Sequence, residues 1–476
     1  MARRTFLLWL AMATAIHGQT FTSLHNFGGI DGAYPGAVLI QGVDGNLYGT
    51  TQGGGIRGDG TVFKMTPRGT LTTIYSFCSE ANCADGSSPY AGLVLGTDGN
   101  FYGTTEQGGF EAGGTVFKIT QGGKLTTLYT FCVQSGCPDG THPEAGLVQG
   151  IDGNFYGTTF EGGANVGNGT VFKITPGGAL TTLYIFCPNS RFCTNGRNPT
   201  AGLVQGTDGR FYGTTPGGGG GPYGPEGTVF KITAGGLLTT VHKFDLTDGS
   251  GPYAGLIQGL DGNFYGTTYG GSGLSGKGTV FEMTPSGTLT TLHSFLGPDG
   301  SSPEAGLVQG TDGDFYGTTL IGGTNDNGTI FEITGSGTLT TLYTFCPNLC
   351  AEGDEPVAGL VQHTTGPFYG TTSIGGDLNC GYGGHGCGTL FNLNTGLGPF
   401  VAFVHNPAKF RQQFGILGQS FTGTTAVLLN GTAASFVVKS DTFILATVPA
   451  GATTGYVTVT TPSGTLTSNV PFRVIP

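Results

Sequence analysis

The sequence predicts an all-β protein, a seven-bladed β-propeller followed by a small β-sandwich. Three observations lead there. A tyrosine-glycine-threonine-threonine string recurs at Tyr48, Tyr102, Tyr156, Tyr212, Tyr265, Tyr316 and Tyr369, in steps of 54, 54, 56, 53, 51 and 53 residues. A period near fifty marks propellers and solenoids. Each copy holds four short runs of β-branched and aromatic residues parted by turn residues. The composition suits such an array: 94 of 476 residues are glycine, aromatics are 11% and charged residues only 10%. So few charges exclude a coiled coil, a charged disordered tail and an ordinary helical enzyme. The net charge of −11 argues against nucleic acid, whose phosphates need a basic surface.

Residues 1–18 read as a secretory signal peptide. Arg3 and Arg4 precede an apolar run of 12 residues, 5–16, too short to span a bilayer comfortably. Small residues then allow cleavage after Ala15 or, by preference, after Gly18; the alternative is an uncleaved anchor. No later segment reads as a membrane span. The mature chain is expected outside the cytoplasm, secreted or at the cell surface, as a monomer.

The ten cysteines agree with export. They fall into five close pairs, Cys78/Cys83, Cys132/Cys137, Cys187/Cys193, Cys346/Cys350 and Cys380/Cys387. An even count in an exported chain reads as disulfides. Zinc usually needs four ligands, and most pairs lack a second pair or a histidine at metal spacing. No metal and no cofactor is expected.

The propeller is assigned to residues 19–398, and the copy at 91–131 shows how one unit is built. Residues 92–97 form the first expected strand, and Asp98-Gly99 the following two-residue type I′ turn. Residues 100–105 form the second strand and 115–120 the third, with Phe117 and Ile119 on one face and Val116 and Lys118 on the other. A turn at 121–123 leads to the fourth strand at 125–131. A single unit cannot cover both sheet faces, so neighbours must pack on each other through the recurring Phe and Tyr side chains. Two strands compete to close the ring. Residues 20–27 read TFTSLHNF, a fourth-strand sequence with no unit of its own, and residues 400–404 are the alternative.

This tandem pattern, such as AGLVQGTDGRFYGTT at 201–215, resembles the GloVer-type repeat of bacterial exported proteins. The resemblance covers roughly residues 20–394 and implies export and a propeller-like array, without an established activity. The composition shifts near residue 399. From Phe414 to Val474, alternating apolar residues and turns recur about every ten residues, the pattern of a β-sandwich at 399–476. The strings at Gly415 to Gly418, Phe421 to Gly423, Leu429 to Gly431, Ser440-Asp441 and Val448 to Gly451 resemble the IPT/TIG immunoglobulin-like domain. That resemblance implies a partner-binding or spacer module.

No nucleophile elbow, P-loop or paired metal-ligand histidines occur. His25, His242 and His293 replace the fourth-strand Tyr of other copies and read as structural. The functional signal is a contrast between the two ends of each unit. The Asp-Gly turn and the glycine turn are short and repetitive. The second-to-third loops, such as 216–227 and 373–388, and the fourth-to-first loops vary, and in a meander both lie on one face. Any ligand is expected there, at Tyr223 and at Asp377, Tyr382 and His385. Tyrosine offers a flat face for a sugar ring, and Asp and His offer hydrogen bonds to its hydroxyls.

The same face carries a recurring Asp-Gly-x-x-Pro. Its ring of Asp31, Asp85, Asp139, Asp248, Asp299 and Glu352, with Asn195 in the remaining copy, reads chiefly as turn caps and secondarily as a calcium or glycan ring. The leading functional expectation is a non-catalytic exported protein binding a polysaccharide or a surface protein. A glycan-active hydrolase or lyase comes second, with Glu106, Glu111, Glu144, Glu161 and Glu304 as unranked carboxylates. A ligand-free spacer of an envelope layer comes third.

Overall fold

The computed structural model describes residues 18–163, 167–188, 193–220, 226–271, 276–347, 350–380 and 384–475. The proposed signal peptide lies outside them except for Gly18, as do Tyr223 and Tyr382. The fold is all-β and of β-propeller type. Through residues 20–394 it consists of seven four-stranded antiparallel sheets, one for each copy of the repeat. The first sheet orders Ile40–Gln41, Leu47–Thr51, Thr61–Met65 and Leu71–Ser76, and the next five repeat this meander. The last orders Val361–Gln362, Phe368–Thr372, Thr389–Asn394 and then Thr20–Asn26, so the chain's first strand completes its last repeat. Residues 400–404 do not take that place: Ala402–Phe403 pairs with Gln413–Leu417 in the C-terminal unit.

The tyrosine string explains the sheet residue by residue. Tyr102 is buried, stacks on Phe155 of the next sheet at 4.0 Å, and donates its hydroxyl to Asp98 at 2.9 Å. Gly103 is glycine because a Cβ would lie 2.6 Å from the Phe117 ring and 2.9 Å from Leu93. Thr104 donates to the Ala145 carbonyl of the following sheet at 3.0 Å. Thr105 shares a hydrogen bond with Thr115 of its own sheet at 2.9 Å. One residue therefore serves stacking, one close packing, one the inter-sheet staple and one the intra-sheet tie. The pattern breaks between the last and first repeats. Leu47 stands where other copies have Phe, and Thr371 Oγ1 has no partner. At this seam the residue after the N-terminal strand supplies Phe27, whose ring meets Phe63 of the first sheet at 5.4 Å. On its other side the strand packs on the sixth sheet, where Phe21 stacks on Tyr343 at 3.8 Å.

Two local expectations need correction. The first strand is only two residues, Val94–Leu95 in the copy at 91–131, because glycines flank it and neighbouring inner strands approach through backbone: a Cβ on Gly92 would meet the Val38 carbonyl at 2.8 Å. The Asp-Gly turn is not type I′. Only Gly99 has positive φ, at 77°, and its amide donates to the Gly96 carbonyl at 2.9 Å. This is a three-residue loop ending on a left-handed glycine. Asp98 favours it by accepting the Asn100 amide at 3.1 Å while holding the Tyr102 hydroxyl. The copy without this Asp, at Thr364-Thr365-Gly366, sends the Tyr369 hydroxyl to the Pro67 carbonyl at 3.1 Å instead.

The C-terminal unit has two four-stranded sheets around a shared core that includes Phe414, Ile416, Val427, Ile444, Val459 and Phe472. It sits on the repetitive-turn face. Thr442 Oγ1 donates to the Val43 carbonyl at 2.8 Å, the Phe400 amide to the Thr364 carbonyl at 3.0 Å, and Arg473 to the Thr207 carbonyl at 2.6 Å. Those partners belong to the first, seventh and fourth repeats, so this unit reaches turns from opposite sides of the array. Leu417, Val404 and Phe443 join the core around Ile40 and Val43.

Candidate functional site

The two variable loop sets lie together. In every repeat a residue of the fourth-to-first loop bridges one of the second-to-third loop, as in Ser87 with Gln107 and Thr141 with Glu161. Between them, the residue before the loop's proline adopts a left-handed backbone even where it is not glycine: Tyr34, Ser88, His142, Asn198, Ser302 and Glu355 have φ between 52° and 58°. Its amide reaches the preceding repeat and its carbonyl its own repeat, as in Ser88 to the Asp59 carbonyl at 2.8 Å and the Glu106 amide to the Ser88 carbonyl at 3.0 Å. Two neighbouring repeats thus fix one strained residue, and the next two positions, proline and its successor, turn toward the axis.

That successor is the most variable position in a Pro-x-Ala-Gly string whose only other change is Val38 for the glycine of the first copy. It is Gly36, Tyr90, Glu144, Thr200, Tyr253, Glu304 and Val357 in the successive copies. All seven line one cavity of about 400 Å³ with the two residues that follow each, Ala-Gly in six copies and Ala37-Val38 in the first, which places the cavity on the array's axis at the variable face. Tyr90 and Tyr253 are 41% and 42% exposed within it, and Phe160 adds a further ring. Glu144 and Glu304 are half-buried. Burial, then the charges of Glu106 and Glu161, push the Glu144 carboxyl up to about 7. Burial and then Glu355 raise Glu304. The Tyr90 phenol is raised by burial, then by Glu304, Glu144 and Glu106. Lysine and arginine are absent from the described lining. The cavity therefore combines aromatic surfaces with carboxylates, one poised near neutrality.

The residues expected to carry the site are placed differently. Asp377 closes its own turn, accepting the Asn379 amide and side chain at 3.0 Å each. His385 is exposed and outside the cavity's lining; burial, then Asp354, raise the Glu355 carboxyl, and His385 lies near enough to offset part of that rise. Tyr223 and Tyr382 are outside the described residues. Sequence reasoning named Glu144 and Glu304 without ranking them, and missed Tyr90 and Tyr253. The usable signal was a changing residue between nearly constant neighbours.

The Asp-Gly-x-x-Pro carboxylates face their own loops. Asp85 is fully buried and accepts the Tyr75 hydroxyl at 2.7 Å and the Ser79 and Glu80 amides at 2.9 and 3.2 Å. Asp139 takes Tyr129 at 2.9 Å, and Glu352 takes the Tyr343 hydroxyl. In the shorter loops histidine replaces tyrosine: His25 with Asp31, His242 with Asp248 and His293 with Asp299, at 2.7, 2.7 and 2.8 Å. The histidine pairs span six residues and the three tyrosine–carboxylate pairs nine or ten. Each tyrosine-type loop also holds a disulfide, Cys78–Cys83, Cys132–Cys137, Cys187–Cys193 or Cys346–Cys350, and Cys380–Cys387 closes the second-to-third loop of the last repeat. The longer phenol reaches across the longer, bridged loop. On the opposite face Asp312, Asp314 and Glu332 bring three carboxylates within 4.8 Å of one another.

Fold and cavity together define a β-propeller-type tandem-repeat protein with an axial cavity on its variable face. The chain belongs to the Gloeobacter/Verrucomicrobia repeat family, whose model matches residues 11–165, 133–308 and 220–453. No curated protein matches it. Among solved structures, the PQQ-bound aldose sugar dehydrogenase of Streptomyces coelicolor is 14% identical over 79% of this chain and 99% of that one, with a TM-score of 0.39. A protein of unknown function from Bacteroides thetaiotaomicron VPI-5482 is 13% identical over 79% and 76%, with a TM-score of 0.43. A luciferin-regenerating enzyme is 11% identical over 80% and 98%, with a TM-score of 0.40. These likenesses are too distant to bear on what the cavity binds.

Proposed function

We propose that this is an exported, non-catalytic binding protein: a closed seven-bladed propeller with an immunoglobulin-like, IPT/TIG-type module on one face and a polysaccharide or surface protein bound at the other. The axial cavity carries the reading. There all seven repeats converge with diverse side chains, and it presents tyrosines suited to sugar rings. Closure is supported by a recurring glutamine bond. Gln41 Oε1 accepts the Thr364 amide at 3.0 Å across the first and last repeats, as Gln362 accepts that of Thr311 at 3.1 Å. Export is supported by five disulfides, which persist in oxidising compartments. Among the described residues no helix is long and apolar enough to cross a membrane.

A second reading is favoured by Glu144. A carboxyl near 7 suits a general acid, so a glycan hydrolase or lyase working in the same cavity is the competing function. A glycan array paired with a reducing-end assay separates the two. Binding without product supports the binding protein. New reducing ends that vanish in Glu144→Gln support the enzyme. Silence in both rejects a glycan ligand and leaves a surface protein or a spacer role.

A further inference from the structure

Resting on the reading of the axial cavity as the binding site, we propose that its ligand is a cationic amino-sugar oligomer, whose free amines enter as ammonium groups while its rings lie on Tyr90 and Tyr253. The charge census points to a cation. Glu144 and Glu304 line the cavity, and Glu106, Glu161 and Glu355 stand close enough to act on them. The titratable cations facing this set are His142, whose Nδ1 is 3.8 Å from Glu161, and His385 beside Glu355. A concave site with this imbalance concentrates positive ligands and repels uronic acids. A neutral sugar would cover the two carboxylates without compensating them, which is costly in a half-buried setting. An ammonium group supplies three donors to them, and the tyrosine faces attract both a cation and the apolar side of a pyranose.

The geometry also favours a sugar over a basic peptide. Two tyrosines, each about two-fifths exposed, stand in a wall otherwise made largely of Gly and Ala residues. A lysine side chain is a thin stem that would leave those faces uncovered, whereas a pyranose ring matches their width. A concave, weakly hindered site of this kind accepts a chain of rings without a narrow side pocket.

The test uses the mature full chain and calorimetric titration at pH 7.0 in low salt, with a glucosamine hexamer, its fully N-acetylated counterpart and hexalysine. The proposal expects the free-amine hexamer to bind about tenfold or more tighter than the acetylated one. Glu144→Gln with Glu304→Gln should erase that preference, and Tyr90→Ala with Tyr253→Ala should weaken both sugars. Equal or tighter binding of the acetylated hexamer overturns the cationic assignment, while its loss in the tyrosine variant would keep the cavity as a glycan site. Hexalysine binding as tightly as the amino sugar overturns the sugar assignment. Sugar binding untouched by both double variants overturns the cavity reading itself. No binding of either hexamer overturns the amino-sugar proposal, and the glycan array then decides the cavity reading separately.

Discussion

Replacing Glu144 with glutamine should stabilise the protein at pH 8 and leave it unchanged at pH 4. The folded carboxyl is raised from 4.5 to about 7 by burial and by Glu106 and Glu161. Because the folded state holds this proton more tightly than the unfolded chain, stability falls as pH rises from about 4.5 to 7 and stays reduced above it. At 1.36 kcal/mol per unit the ceiling is about 3 kcal/mol. The cavity is open to solvent, which screens the charge and reduces the expected gain to about 1–2 kcal/mol. Glutamine keeps the shape and removes the penalty. If the repeats unfold as one unit, the gain corresponds to about 1–2 °C in Tm, readable by differential scanning calorimetry at both pH values. An equal shift at pH 4 and pH 8, or destabilisation at pH 8, would refute the reasoning.

Phe21→Ala removes the ring that stacks on Tyr343 and meets Phe391 at 5.2 Å. It should cost about 2–3 kcal/mol, and hydrogen exchange should quicken first in Thr389–Asn394, the strand it closes against. His242→Tyr places a longer side chain over a six-residue span and should destabilise by more than about 1 kcal/mol by urea titration. Tyr129→His should lose its hydrogen bond to Asp139 at a similar cost. Reduction of the five disulfides should leave the far-ultraviolet circular dichroism intact, because each bridge closes a loop with a sequence separation of at most 7. Trp9 is the single tryptophan, so cleavage of the proposed signal predicts tyrosine-only fluorescence in the secreted protein.

The repeat, its strand count and its turn positions were legible because the same residues recur at fixed offsets. The N-terminal strand was legible as a candidate, since TFTSLHNF matches the fourth strands, but choosing it over residues 400–404 needed the pairing of Ser23 with Phe391. The role of Asp98 was half legible. Its turn was evident from Asp-Gly, while its bond to Tyr102 depends on the two side chains meeting across a loop of different type. The docking of the C-terminal unit left no sequence signal, because Thr442, Phe400 and Arg473 bind backbone carbonyls. Loop length and the axial cavity point to different parts of the variable face. Residues 216–227 and 373–388 stand out as long insertions, whereas the axial cavity is built by a constant-length string that varies mainly at Gly36, Tyr90, Glu144, Thr200, Tyr253, Glu304 and Val357, with Val38 replacing one glycine. Their convergence follows from the array's rotation and is invisible along the chain.

The most direct measurement is a crystal structure of the mature protein grown with the tightest ligand from the glycan array. Density for that ligand between Tyr90 and Tyr253, within reach of Glu144 and Glu304, is the predicted result. Density confined to the loops at 216–227 or 373–388, or on the C-terminal unit, with the axial cavity empty, would contradict it.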